Sequence, residues 1–267
     1  KIMINYIKTN KNKIFIIIGV LVGVIILLQP SGTIHQEVEN NVENGVPLEN
    51  LNKLSYEDQV SMTLKEKKDS IKFLAETFQI DEKVLINMLK DNYEKFGFDK
   101  NTNDFDKIVI DYLFELETRD KTLFNNVRTH GNKDKDYIVK LVKYFSSIYT
   151  NVEFTIAAGI ANVESGYTSK YMLNKNNIFG GMYNGNLIGY KNIEYGTLQY
   201  IKLLSEGYFG KGLTTVEDIG KIYNPMFNES GVKIAKPTWV YNVKLSMENF
   251  SDIEDVDTTI LNNLKNS

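Results

Sequence analysis

With 267 residues, 42% hydrophobic and 24% charged, the chain can build a sizeable core and has the balance of a globular protein. Its net charge of −3 gives no basis for nucleic-acid binding, and the lack of cysteine excludes disulfides, thiolate metal sites and a cysteine nucleophile. The two histidines, His35 and His130, lie far apart, which argues against a multi-histidine metal centre; no metal or cofactor is implied.

From Ile14 to Leu28 the run "IFIIIGVLVGVIILL" has no polar side chain, and Lys1, Lys8, Lys11 and Lys13 precede it. As a helix it would span about 22 Å, short of the roughly 30 Å hydrocarbon core; snorkelling lysines and local thinning make a short anchor workable. The apolar region of a signal peptide has a similar length, but the following "QPSGTIHQ" has no A-x-A-like cleavage site, so an uncleaved anchor over 1–30 is preferred. The lysines place the N-terminus inside and the remainder outside, a single-pass arrangement at the cell membrane. Residues 31–54 are polar, acidic and poor in large apolar side chains, the composition of a flexible stalk.

Helical periodicity begins at Ser55. "SYEDQVSMTLKEKKDSIKFLAETF" opens on a Ser55 cap, "DEKVLINMLKDNYEKFG" on an Asp81 cap with Gly97 as its stop, and "DFDKIVIDYLFELETRD" is a third amphipathic stretch. The Asn- and Gly-rich "KTLFNNVRTHGNKDKD" then suggests a boundary, making 55–130 a helical spacer with room for an envelope-protein partner and 131–250 a second domain. "DYIVKLVKYFSSIY" and "VEFTIAAGIANVES" are helical, the latter with Asn151 as its expected cap. "GGMYNGNLIGY" carries Asn-Gly turn chemistry and predicts a small hairpin or irregular lobe. "NIEYGTLQYIKLLSEGYF", "TVEDIGKIY" and "WVYNVKLSMENF" return to helix, and the acidic tail 251–267 is expected to fray. The fold class expected is mainly α. "GYFGKGLTT" lacks the spacing and leading strand of a phosphate loop and reads as an interhelical loop.

The segment Val152–Val163 is apolar on nearly every side, as a central helix would be. Glu164 follows in its last turn and Gly166 sits where a left-handed cap belongs. Desolvation and the negative end of the helix dipole both disfavour the ionised carboxylate, so its pKa is expected to rise. A carboxyl group protonated near neutral pH is what protonates a glycosidic leaving group.

"VESGY", then "NNIFGG", "IYNP" and "WVYNV", in that order, resemble the glucosaminidases of the lysozyme-like superfamily, glycoside hydrolase family 73, from about Tyr137 to Phe250. The resemblance implies a lysozyme-like helical domain with a small lobe, acting on the glycan strands of peptidoglycan. It implies Glu164 as the catalytic acid and Tyr223 as the tyrosine facing it. Asn177, Phe179 and Gly180 would line the cleft and meet an N-acetyl group, with Tyr190 as a further substrate-binding candidate. Trp239 matches a C-terminal aromatic that is more often core than cleft.

The chain departs from the family in its short "GGMYNGNLIGYKNIEYG" lobe, where Glu194 is the sole acid and so the candidate second carboxylate. Glu194 also fits the first turn of the next helix, and Glu217, Asp218 and Glu229 have no motif support. Inverting geometry needs two carboxyl groups about 6.5–9.5 Å apart; without them the substrate's N-acetyl group would act as nucleophile. The function expected is an endo-β-N-acetylglucosaminidase. A lytic transglycosylase or muramidase of the same superfamily, and a non-catalytic wall-binding scaffold, are the alternatives.

Overall fold

The computed structural model describes residues 55–96 and 104–265. The anchor and stalk expected for 1–54 lie outside them, as does the Gly97 stop; among the described residues no helix is long and apolar enough to cross a membrane. The architecture is mainly helical, with two short hairpins.

Helix α1 (Tyr56–Glu66) begins as expected, with the Ser55 hydroxyl accepting from the Asp58 N–H. The periodic stretch after Ser55 is not one helix. It breaks at Lys67, whose backbone leaves the helical region (φ −90°, ψ 15°), and resumes as α2 (Lys68–Phe78). Asp81 caps α3 (Glu82–Asp91) by accepting from Lys83 and Val84 N–H, a one-turn α4 (Tyr93–Phe96) follows, and α5 spans Phe105–Arg119. The Asn-rich segment after it opens with a 3₁₀ turn (Lys121–Leu123) and then runs without regular structure to α6 (Lys135–Ile148).

Helix α7 (Phe154–Ser165) is the central one, with Ala157, Ala158, Ile160 and Ala161 fully buried. It packs against α6 and, most closely, against α11 (Pro237–Met247). A Cβ on Gly159 would lie 3.0 Å from the Val243 carbonyl oxygen and 2.9 Å from Met247 Cγ, so a side chain there would force these helices apart. The cap of α7 is Glu153, which accepts from Thr155 N–H. Asn151, the expected cap, is drawn away into a two-way bond with Ser205.

After the one-turn α8 (Lys170–Leu173), the Asn184-Gly185 turn has both residues at positive φ (48° and 76°) and closes the predicted hairpin, β1 (Met182–Tyr183) with β2 (Asn186–Leu187). Helix α9 (Ile193–Gly207) packs on α6 and also meets α2. A second antiparallel hairpin, β3 (Pro225–Phe227) with β4 (Lys233–Ala235), follows α10 (Val216–Tyr223) and leads into α11, with Pro237 at its first position.

The tail does not fray. It forms α12 (Thr258–Lys265), with Leu261 fully buried and the Asn262 amide donating to the Asp69 carbonyl. The last residue of α12, Lys265, makes ion pairs with Glu76 of α2 and Glu194 of α9. The described residues form one compact unit, in which the early helices and the later ones share a single apolar cluster.

Candidate active site

The "ESGY" stretch shows how sequence places the acid. Ser165 donates to the Ala161 carbonyl and accepts from Tyr167 N–H, while Gly166 adopts φ 59° to end the helix. Tyr167 is fully buried, and its hydroxyl returns to the Ala158 carbonyl. This knot fixes the last turn of α7, and Glu164 emerges from it half-buried into a cleft of about 730 Å³.

Glu164 is the one carboxylate among the residues lining that cleft. Burial raises its pKa from the ordinary glutamate value, and a hydrogen bond from the Trp239 indole N–H (Nε1 to Oε1, 3.0 Å) partly opposes the shift. Gly180 passes beside it with φ 73°; a Cβ there would sit 3.4 Å from Glu164 Oε2. Glycine is favoured at this point for its backbone conformation.

Tyr223 also lines the cleft. Its hydroxyl donates to the Phe179 carbonyl at 2.5 Å, and its ring stacks on Trp239 at 5.5 Å. Burial, then the nearby Glu164, hold the phenol far above the ordinary tyrosine range. Phe179 is buried in a stack with Tyr200 and Tyr190, and Tyr190 lines the cleft with its pKa pushed up to about 12 by burial. Glu164, Tyr223, Phe179, Gly180 and Tyr190 are therefore brought together.

Asn177 and Glu194 are not. The Asn177 side chain is fully buried; its amide donates to the Gly181 and Ile188 carbonyls and its oxygen accepts from Phe179 N–H. It holds the hairpin lobe closed instead of meeting a ligand. Neighbouring Asn176, at φ 54°, braces the same lobe by donating to the Thr129 and Tyr190 carbonyls. Glu194 lies 1% exposed in the first turn of α9, bonded to the Tyr137 hydroxyl and to Lys265, outside the cleft lining. Glu217 and Asp218 are surface partners of Lys244 and Lys221, Glu229 is exposed, and none lines this cleft.

Two further residues contribute, Trp239, expected as core more often than cleft, and Gln199, which the sequence did not single out. Trp239 is buried, as expected of a core residue, yet supplies the donor to Glu164. Gln199 lines the cleft from α9, and only its four-residue spacing from Tyr195 hinted that the two could meet on one helix face. Among the described residues, no three His, Asp or Glu side chains gather to hold a metal ion. No family model, curated protein or solved structure matches this chain.

Proposed function

We propose that the protein is a peptidoglycan hydrolase of lysozyme-like character that cleaves β-1,4 bonds of the wall glycan as an endo-β-N-acetylglucosaminidase. The observation that carries this reading is the protonation-prone Glu164 on the wall of an aromatic-lined cleft. In this mechanism Glu164 gives its proton to the glycosidic oxygen as the C1–O bond breaks. The acetamido oxygen of the same sugar bonds to C1, and water then opens that ring while the Glu164 carboxylate takes the water's proton. Tyr223, locked to the Phe179 carbonyl, orients the sugar beside the acid. The apolar run at Ile14–Leu28 supports a membrane-anchored enzyme working outside the cell, and the helices before Arg128 would offer surface to an envelope partner.

A lytic transglycosylase is the second reading, favoured by the single carboxylate in the cleft. There Glu164 would serve as acid and then as base, and the sugar's own 6-hydroxyl would close on C1. Incubating the full chain with purified sacculi and identifying the new ends by mass spectrometry decides. Reducing N-acetylglucosamine ends support the glucosaminidase, and anhydro-muramic ends support the transglycosylase. Reducing muramic ends would mean a muramidase, and sacculus binding with no new ends would mean a scaffold.

A further inference from the structure

A directed chain of hydrogen bonds runs from the early helices into the cleft. Glu117, on α5, accepts from Lys191 Nζ on one oxygen and from the Tyr195 hydroxyl on the other, the latter at 2.6 Å. Lys191 itself is 8% exposed and also donates to the Phe78 carbonyl, so the pair is built into the interior. Tyr195 in turn accepts from Gln199 Nε2 at 2.9 Å, and Gln199 lines the cleft.

The protons in this chain can point only one way. A carboxylate beside an ammonium has only acceptors to offer, so the single phenolic proton of Tyr195 goes to Glu117. The phenol oxygen is left as an acceptor and takes the Gln199 N–H₂. The opposite amide orientation would set the Gln199 carbonyl against Glu117 in competition for that one proton. Gln199 is thereby fixed with its carbonyl oxygen as the end free of the relay.

We infer that Glu117 is a positioning residue that, through Tyr195, locks Gln199 as a hydrogen-bond acceptor for a donor group of the bound sugar, the acetamido N–H or a hydroxyl. The inference rests on the glycosidase reading of the cleft. It assigns the helices before Arg128 a part in substrate recognition that a spacer would not have.

The test is calorimetric titration of the full chain carrying Glu164→Gln, which keeps glycan intact, with the N-acetylglucosamine tetramer and with cellotetraose. Adding Gln199→Leu, or Tyr195→Phe with the Glu117–Lys191 pair left in place, should each weaken tetramer binding about fivefold, the worth of one hydrogen bond. The double variant should bind no worse than Gln199→Leu alone, because the tyrosine acts through the glutamine. Glu117→Gln should match Tyr195→Phe if it folds. A loss confined to the acetylated ligand assigns the acetamido N–H; an equal loss for cellotetraose assigns a hydroxyl. Additive losses, or full affinity in both single variants, overturn the inference alone. No binding of the tetramer by the Glu164→Gln parent overturns the glycosidase reading and the inference with it.

Discussion

Trp239 and Glu164, 75 residues apart in sequence, meet through one hydrogen bond of 3.0 Å from indole nitrogen to carboxylate oxygen. The bond favours the ionised acid while burial favours the neutral one, and burial prevails. Removing the donor should therefore raise the pKa of Glu164 further. Trp239→Phe is expected to move the alkaline limb of the pH–rate profile to higher pH, measured on sacculus digestion between pH 4 and 9; an unmoved or acid-shifted limb would contradict the assignment.

Glu164→Gln should lower turnover by about 10²–10⁴-fold, the range for a lost general acid. Its effect on stability has the opposite sense. A carboxyl whose folded pKa is raised stabilises most below its unfolded pKa near 4.3, and that contribution is lost as pH rises through the folded value. Glutamine can still accept from Trp239 without any charge to desolvate. Thermal melts from pH 4 to 8 should show the variant gaining on the wild type as pH increases.

Asn177→Ala should act on the fold. It removes the donors to two carbonyls and the acceptor for Phe179 N–H inside the lobe. A loss of about 2–3 kcal/mol is expected from chemical denaturation, with early loss of amide protection in residues 177–190 by hydrogen exchange.

Lys265→Met should destabilise by about 3 kcal/mol, because it leaves the buried Glu194 without its cation. Pairing it with Glu194→Leu should recover part of that loss in urea unfolding, since both charges are then gone. Independent, additive effects would show that the two residues do not act as a pair.

Much of the helical order could be read from the chain. Caps at Ser55 and Asp81, the Asn184-Gly185 turn and the left-handed Gly166 are local devices whose chemistry is written in two to four adjacent residues. The acid's surroundings were legible for the same reason, as the apolar segment and its terminal glutamate are contiguous. What could not be read depends on distant partners. Asn177 has the right chemistry for a ligand, but two carbonyls from the lobe claim it first. Asn151 would cap a helix in isolation, yet Ser205 binds it. The acidic tail gives no local sign that Leu261 will be buried or that Lys265 will face Glu194. The boundary suggested by the Asn-rich stretch marks a lack of regular structure, while the core passes beneath it.

Lys191 and Asn192, at the start of α9, are fastened to the carbonyls of Glu76, Thr77 and Phe78 at the end of α2. Excising the motif-bearing half, or transplanting it onto another carrier protein, would sever that joint and strip the Lys191 ammonium and the Asn192 amide of those three acceptors. Any fragment cut from this chain to stay folded should therefore keep α2 together with α9, and protein engineers who trim to the recognisable motifs should expect insoluble material.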